Sequence, residues 1–135
     1  MKTLRVIVCK AGKGVSAHLP EIDGYVIARN SVEKLKKELP EGIQFHIEGL
    51  YNEERQPWMS EEYGFEYVYH DIPALLEAYN GIINQSSLAR ISGINESLMR
   101  QYVSGIKKPT SNTLQRIKQG LSRYANELQS ISFAL

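Results

Sequence analysis

Seven lysines and arginines lie between Arg90 and Arg123, and Glu96 is the only acid among them. A local excess of positive charge is what a phosphate-facing surface needs, although a solvated basic face has the same composition. Within this stretch, side chains recur at offsets that packing would impose. Gln85 opens a helix, Leu88 faces inward, and small Ala89 lets a second helix come close. Four residues on, Gly93 suits a turn that needs a left-handed backbone. Ile94 plugs that turn and Asn95 can cap the next helix. Met99 and Tyr102 then face inward, Gly105 ends the helix, and Lys107-Lys108-Pro109 follow. Two short helices crossing at a fixed angle require this order. Thr113-Leu114-Gln115-Arg116-Ile117 and Leu121 add an amphipathic helix to roof the core.

The segment from Asn84 to Pro109 resembles the Cro/C1-type helix-turn-helix family. It matches the pattern Gln-x-x-Leu-Ala-x-x-x-Gly and then Gly-x-x-x-Pro without an insertion. The resemblance implies DNA binding, with Glu96 to Ser104 as the recognition helix. Glu96, Ser97, Arg100 and Gln101 point away from its core face and become the major-groove candidates, with Asn95 at the helix start. Arg100 can pair with guanine and Gln101 with adenine, while Glu96 can accept from a cytosine amine or repel phosphate. Gln85, Lys107 and Lys108 are the implied phosphate contacts, which position the protein without reading sequence. One short helix reads few base pairs, so a homodimer on pseudo-palindromic operator DNA is expected, a tetramer being the larger alternative. The last helix, around Leu121, Tyr124 and Leu128, is the expected dimer contact.

The elements that carry this segment belong to a chain of 135 residues, enough for one ordinary domain or two very small ones. Its 42% apolar and 23% charged residues are an ordinary folded composition. No apolar run is long enough to span a bilayer, and the start does not read as an export signal, so a soluble cytoplasmic protein without membrane contact is expected. A single cysteine excludes a disulfide-built scaffold. The net charge of +1 hides a split: residues 1–70 hold nine basic and eleven acidic side chains, residues 71–135 seven and four. Two modules are therefore expected, an α+β domain over 1–70 and an all-α domain over 71–135.

In the first module, Leu4, Val6 and Val8 alternate with Arg5, Ile7 and Cys9 as a strand. The turn Ala11-Gly12-Lys13-Gly14 leads to a second strand, Val15 to Leu19, and Tyr25 to Ala28 makes a third, giving an antiparallel meander. Ser31 offers an N-cap. Val32, Leu35, Leu39, Ile43, Ile47 and Leu50 then keep helical spacing through Pro40, which should kink or restart the helix. A strand over 43–47 is the competing reading, because Ile43, Phe45 and Ile47 also alternate. Residues 51–64 read as a connection and Phe65 to His70 as a strand. Five helical segments can follow, with Asp71 as a cap, before a last strand signal at Ile131 to Phe133.

The run Ser16-Ala17-His18-Leu19-Pro20-Glu21-Ile22-Asp23-Gly24-Tyr25 resembles the HicB antitoxin family, in which such a strand enters Leu-Pro-x-x-x-Gly before a third strand and a helix. Phe45-His46-Ile47-Glu48-Gly49-Leu50 looks like the end of that family's helix. The resemblance implies a partial RNase H-like antiparallel sheet with a helix. It also implies an antitoxin that masks a HicA-like ribonuclease toxin and represses its own operon through a C-terminal helix-turn-helix. Lys10, Lys13 and two glycines stand where many members carry acidic or amide residues. The acidic 51–64 segment is either a solvated linker or an electrostatic partner for a basic toxin.

Catalysis is not expected, because Leu4 to Lys10 carries no carboxylate of the kind that RNase H chemistry uses to hold metals. His18, His46 and His70 lack metal-ligand spacing, so no metal or cofactor is expected, and Cys9 reads as a buried apolar side chain. Trp58, with Met59 and Tyr63, is either an exposed anchor or a pin onto the sheet. The alternative to an antitoxin is a stand-alone transcriptional regulator whose first half senses a small ligand.

Overall fold

The structure is a computed structural model that describes residues 1–134. The chain is α+β and divides into two compact units, Met1–Ala78 and Tyr79–Leu135.

The first unit holds a four-stranded sheet: β1 (Lys2–Ala11), β2 (Gly14–His18), β3 (Val26–Arg29) and β4 (Tyr63–Tyr69), in the order β3-β2-β1-β4. The first three strands form the expected antiparallel meander. The sheet as a whole is mixed, not antiparallel, because β4 runs parallel to β1, pairing Leu4 with Phe65 and Val8 with Tyr69. The connection explains this. Between β3 and β4 the chain passes through α1 (Val32–Glu48), and a helical crossover returns the chain in the direction it left, as a tight turn cannot.

α1 begins on Ser31, whose side chain accepts from the Lys34 backbone N–H at 3.1 Å. It runs through Pro40 and continues over 43–48, so the strand reading of that segment is wrong. Val32, Leu35, Leu39, Ile43 and Ile47 are all buried, in one cluster with Leu4, Val6, Val8, Val15, Ala17 and Ile27 of the sheet. Alternation puts those sheet residues on one face, and the helical spacing gives α1 one matching stripe. Phe65, Tyr67 and Tyr69 pack against the same core but stay half-buried, since β4 is an edge strand. Two single 3-10 turns, Asn52–Glu54 and Pro57–Ser60, fill the connection. Trp58 and Met59 lie against the core, and the Trp58 ring meets Tyr63 edge-on at 5.7 Å, so Trp58 is a pin.

The boundary expected at residue 70 falls instead after Ala78. α2 (Ile72–Ala78) starts on Asp71, whose carboxylate accepts from the Ala74 N–H at 2.8 Å, and Ala74 is buried within the cluster of the sheet. Among its described residues the second unit has three helices, α3 (Gln85–Ser92), α4 (Glu96–Ser104) and α5 (Ser111–Gln129). Among the described residues, four helices thus follow residue 71 where five were expected. Ile131 to Phe133 forms no strand.

Pro40 lies inside α1 on its exposed side and lacks the N–H that would close a turn. Pro40→Ala is expected to raise the urea-unfolding free energy by about 1–3 kcal/mol. Leu39→Ala, one residue earlier and fully buried, is expected to lower it by about 2–5 kcal/mol. An unchanged or lower stability for Pro40→Ala would show that the ring is accommodated without cost.

Candidate nucleic-acid interface

The helical unit is organised by the three residues between α3 and α4. Asn84 caps α3 by accepting from the Ser87 N–H at 2.8 Å. The helix stops at Gly93, which sits at φ +66°, a left-handed conformation that a side chain disfavours. Ile94 follows and is buried, and its N–H donates back to the Ala89 carbonyl at 2.9 Å. Asn95 then starts α4, its side-chain oxygen accepting from the N–H groups of Ser97 at 2.8 Å and Leu98 at 3.3 Å. Leu88, Ala89, Met99 and Tyr102 are buried between the helices, at the offsets expected from the sequence. α4 closes at Gly105, again left-handed at φ +84°.

This packing decides which side chains α4 can offer. With Met99 and Tyr102 inward, Glu96, Ser97 and Arg100 are exposed and Gln101 is half-buried at the flank. Lys107 and Lys108 are exposed beyond the helix end, while Gln85 is half-buried in the first turn of α3. Two members of the expected set are already engaged. Asn95 is occupied as a cap, and the Glu96 carboxylate accepts from the Ser86 hydroxyl at 2.5 Å. That bond ties the start of α4 to the first turn of α3.

Three supporting residues were not singled out for these roles from the sequence. The Arg116 guanidinium donates to the Gly93 carbonyl, so α5 clamps the turn. Gly120 is buried where an added Cβ would collide with the Ile91 carbonyl, so its lack of a side chain lets α5 lie against α3. Ser86 is the third. Only Gly120 had a signal, a glycine inside a good amphipathic pattern, which marks close approach when it is not a break.

The observed boundary sharpens the charge map. Residues 1–78 carry nine basic and thirteen acidic side chains, a net of −4, and residues 79–135 carry seven and two, a net of +5. All seven cations of the helical unit are exposed, and among the described residues none is ion-paired. Ion pairs occur instead in the first unit, Lys10 with Glu77 at 3.3 Å and Arg29 with Glu38 at 2.8 Å. The Arg29 hydrogen bond holds the Glu38 carboxyl below the usual carboxylate range.

The first unit has its own concave feature, a cavity of about 440 Å³ lined by Glu21, Ile22, Asp23, His46, Leu50 and Glu54 among others. His46 meets Tyr25 edge-on at 5.5 Å, while His18 and His70 are exposed elsewhere. Among the described residues, no group of three or more histidine, cysteine or acidic side chains is placed to hold a metal ion. Cys9 is half-buried, and burial together with the Asp71 carboxylate pushes its thiol above the ordinary value. None of the described helices is long and apolar enough to cross a membrane.

Compared with protein families, with curated proteins and with solved structures, the chain matches none.

The capping role of Asn95 can be isolated. Asn95→Ala is expected to cost the helical unit about 1 kcal/mol, and Asn95→Asp, which keeps the acceptor, to cost little. Equal losses for both in thermal unfolding would assign Asn95 a different role.

Proposed function

We propose that the chain is a HicB-like antitoxin that represses its own operon. On this reading α3, the turn at Gly93–Asn95 and α4 form a Cro/C1-type helix-turn-helix, with α4 as the recognition helix. The observation that supports it most is the pairing of that tightly capped turn with an unneutralised cation set on the same unit. Solvated cations outside ion pairs are available to displace counterions from phosphate. Arg100, with Ser97 beside it, takes the base-reading role, Gln101 flanks it, and Lys107 and Lys108 contact phosphates.

The first unit then acts by stoichiometric binding, not turnover, covering a small HicA-like ribonuclease. Its net charge of −4 suits a partner that must itself be basic to hold RNA. The helical unit pairs as a homodimer through α5. Leu114, Ile117, Leu121, Tyr124 and Leu128 follow one another at alternating spacings of three and four. Ile117 is buried, whereas Tyr124 and Leu128 are 43% and 48% exposed, so the stripe outruns the surface that its own unit covers. A repeat of 3.5 residues is the pattern of a helix seam.

Arg100→Ala should weaken binding to the operator more than binding to random DNA; an equal loss on both would remove its base-reading role. Lys107→Ala with Lys108→Ala should flatten the dependence of affinity on salt, by a slope of about 1 to 2. An unchanged slope would take both lysines off the phosphates. Leu128→Glu should shift sedimentation from dimer to monomer, and a dimer that persists would place the contact elsewhere. The antitoxin role is tested by co-purifying the full chain with the product of a small adjacent gene and assaying RNA cleavage. Capture with loss of cleavage is expected. A neighbour that neither binds nor cleaves RNA would leave a DNA-binding regulator without a toxin.

A further inference from the structure

We infer that the cavity at the C-terminal end of α1 receives an arginine or lysine side chain of a basic protein partner. The assignment rests on the antitoxin reading, where that partner is the ribonuclease.

Charge selects the ligand class. Glu21, Asp23 and Glu54 line the cavity against a single cation, Lys2, leaving a net of −2. Lys2 already stands over the Trp58 ring, 6.0 Å from its centroid, and one Glu54 oxygen already accepts from the Tyr51 N–H at 2.9 Å. Glu21 and His46 are less committed. Glu21 Oε2 and His46 Nε2 are both shielded from solvent and have no hydrogen-bond partner. Polar atoms in that condition are costly, and both residues line this cavity, so turning either side chain toward a ligand that supplies donors would satisfy it. A guanidinium or ammonium group carries donors only, and His46 Nε2 accepts when its ring proton is on Nδ1.

Shape and surroundings select the source. The cavity, about 440 Å³, is within the range of sites that enclose a ligand. Ile22 is buried in its lining, and Leu50 and Met59 are half-buried there, an apolar bed for the methylene stem of a basic side chain. Phe45 and Tyr51, the chain neighbours of lining residues His46 and Leu50, are 80% and 73% exposed. Phe45 is the one large apolar side chain of α1 outside the core, and no packing need accounts for it. Exposed aromatics next in the chain to pocket residues are the kind of anchor that a protein contact uses, whereas a small amine would have no use for them.

The test uses the full chain with the product of the adjacent gene, and agmatine as a free guanidinium probe followed by amide NMR shifts. Glu21→Gln with Asp23→Asn, and separately Phe45→Ala, should each weaken the protein complex by roughly ten-fold or more and leave operator binding unchanged. Agmatine should shift His46, Leu50 and their neighbours in the wild type, and not in the double variant. Variants that hold the partner as tightly as the wild type overturn the assignment, and agmatine shifts alongside that result would make this a free-amine site. A wild-type chain that captures no partner overturns the ribonuclease reading itself, and specific agmatine shifts would then leave a cation site standing. Absence of both sinks both.

Discussion

Between Ser92 and Glu96 the chain has three residues in which to stop one helix, turn, and start another. Gly93 supplies the backbone angle, Ile94 the apolar plug and Asn95 the acceptor for the first free N–H groups of α4, so no position is spare. The rest of the helical unit serves this turn. Leu88 and Ala89 make the bed for Met99 and Tyr102, the Arg116 side chain holds the Gly93 carbonyl, and Gly120 brings α5 close enough for the clamp. The outward set on α4 follows by exclusion, since a helix of nine residues that buries Met99 and Tyr102 has only one other face to show.

The two units divide electrostatic labour as cleanly as they divide the fold. A net of −4 on one and +5 on the other lets a single short chain address partners of opposite charge. On the proposed reading, each unit also repels the ligand suited to the other. The engagement of Glu96 by Ser86 fits this scheme, because it draws the one acid of α4 onto a neighbouring hydroxyl.

Legibility in the sequence followed periodicity and failed with topology. The stripe Val32 to Ile47 and the offsets from Leu88 to Gly105 are local patterns fixed by helix geometry, and both were readable. The direction of β4 was not, because Phe65, Tyr67 and Tyr69 alternate identically in a parallel or an antiparallel strand. α2 is seven residues long, too short to declare which core Ile72 and Ala74 join. The three supports of the turn act across 10 to 29 residues, as Ser86 to Glu96 and Ile91 to Gly120 do, and no local window contains them. The cavity is harder still, since Lys2, Glu21, His46 and Gln56 are neighbours only after α1 has crossed the sheet.

The parallel strand carries a consequence for how the protein is made. β1 leaves the ribosome before the other strands of its sheet, yet its partner β4 is about 60 residues behind it. Until Tyr63–Tyr69 emerge, β1 is an edge strand whose hydrogen-bonding groups on one side have no native partner. The meander and α1 can assemble in that interval, but the sheet closes only on a pairing of high sequence separation, the slow kind. The helices of the second unit make contacts within a few tens of residues and are free to form without waiting. In a nascent chain, therefore, the segment most open to strand addition by a stranger is β1.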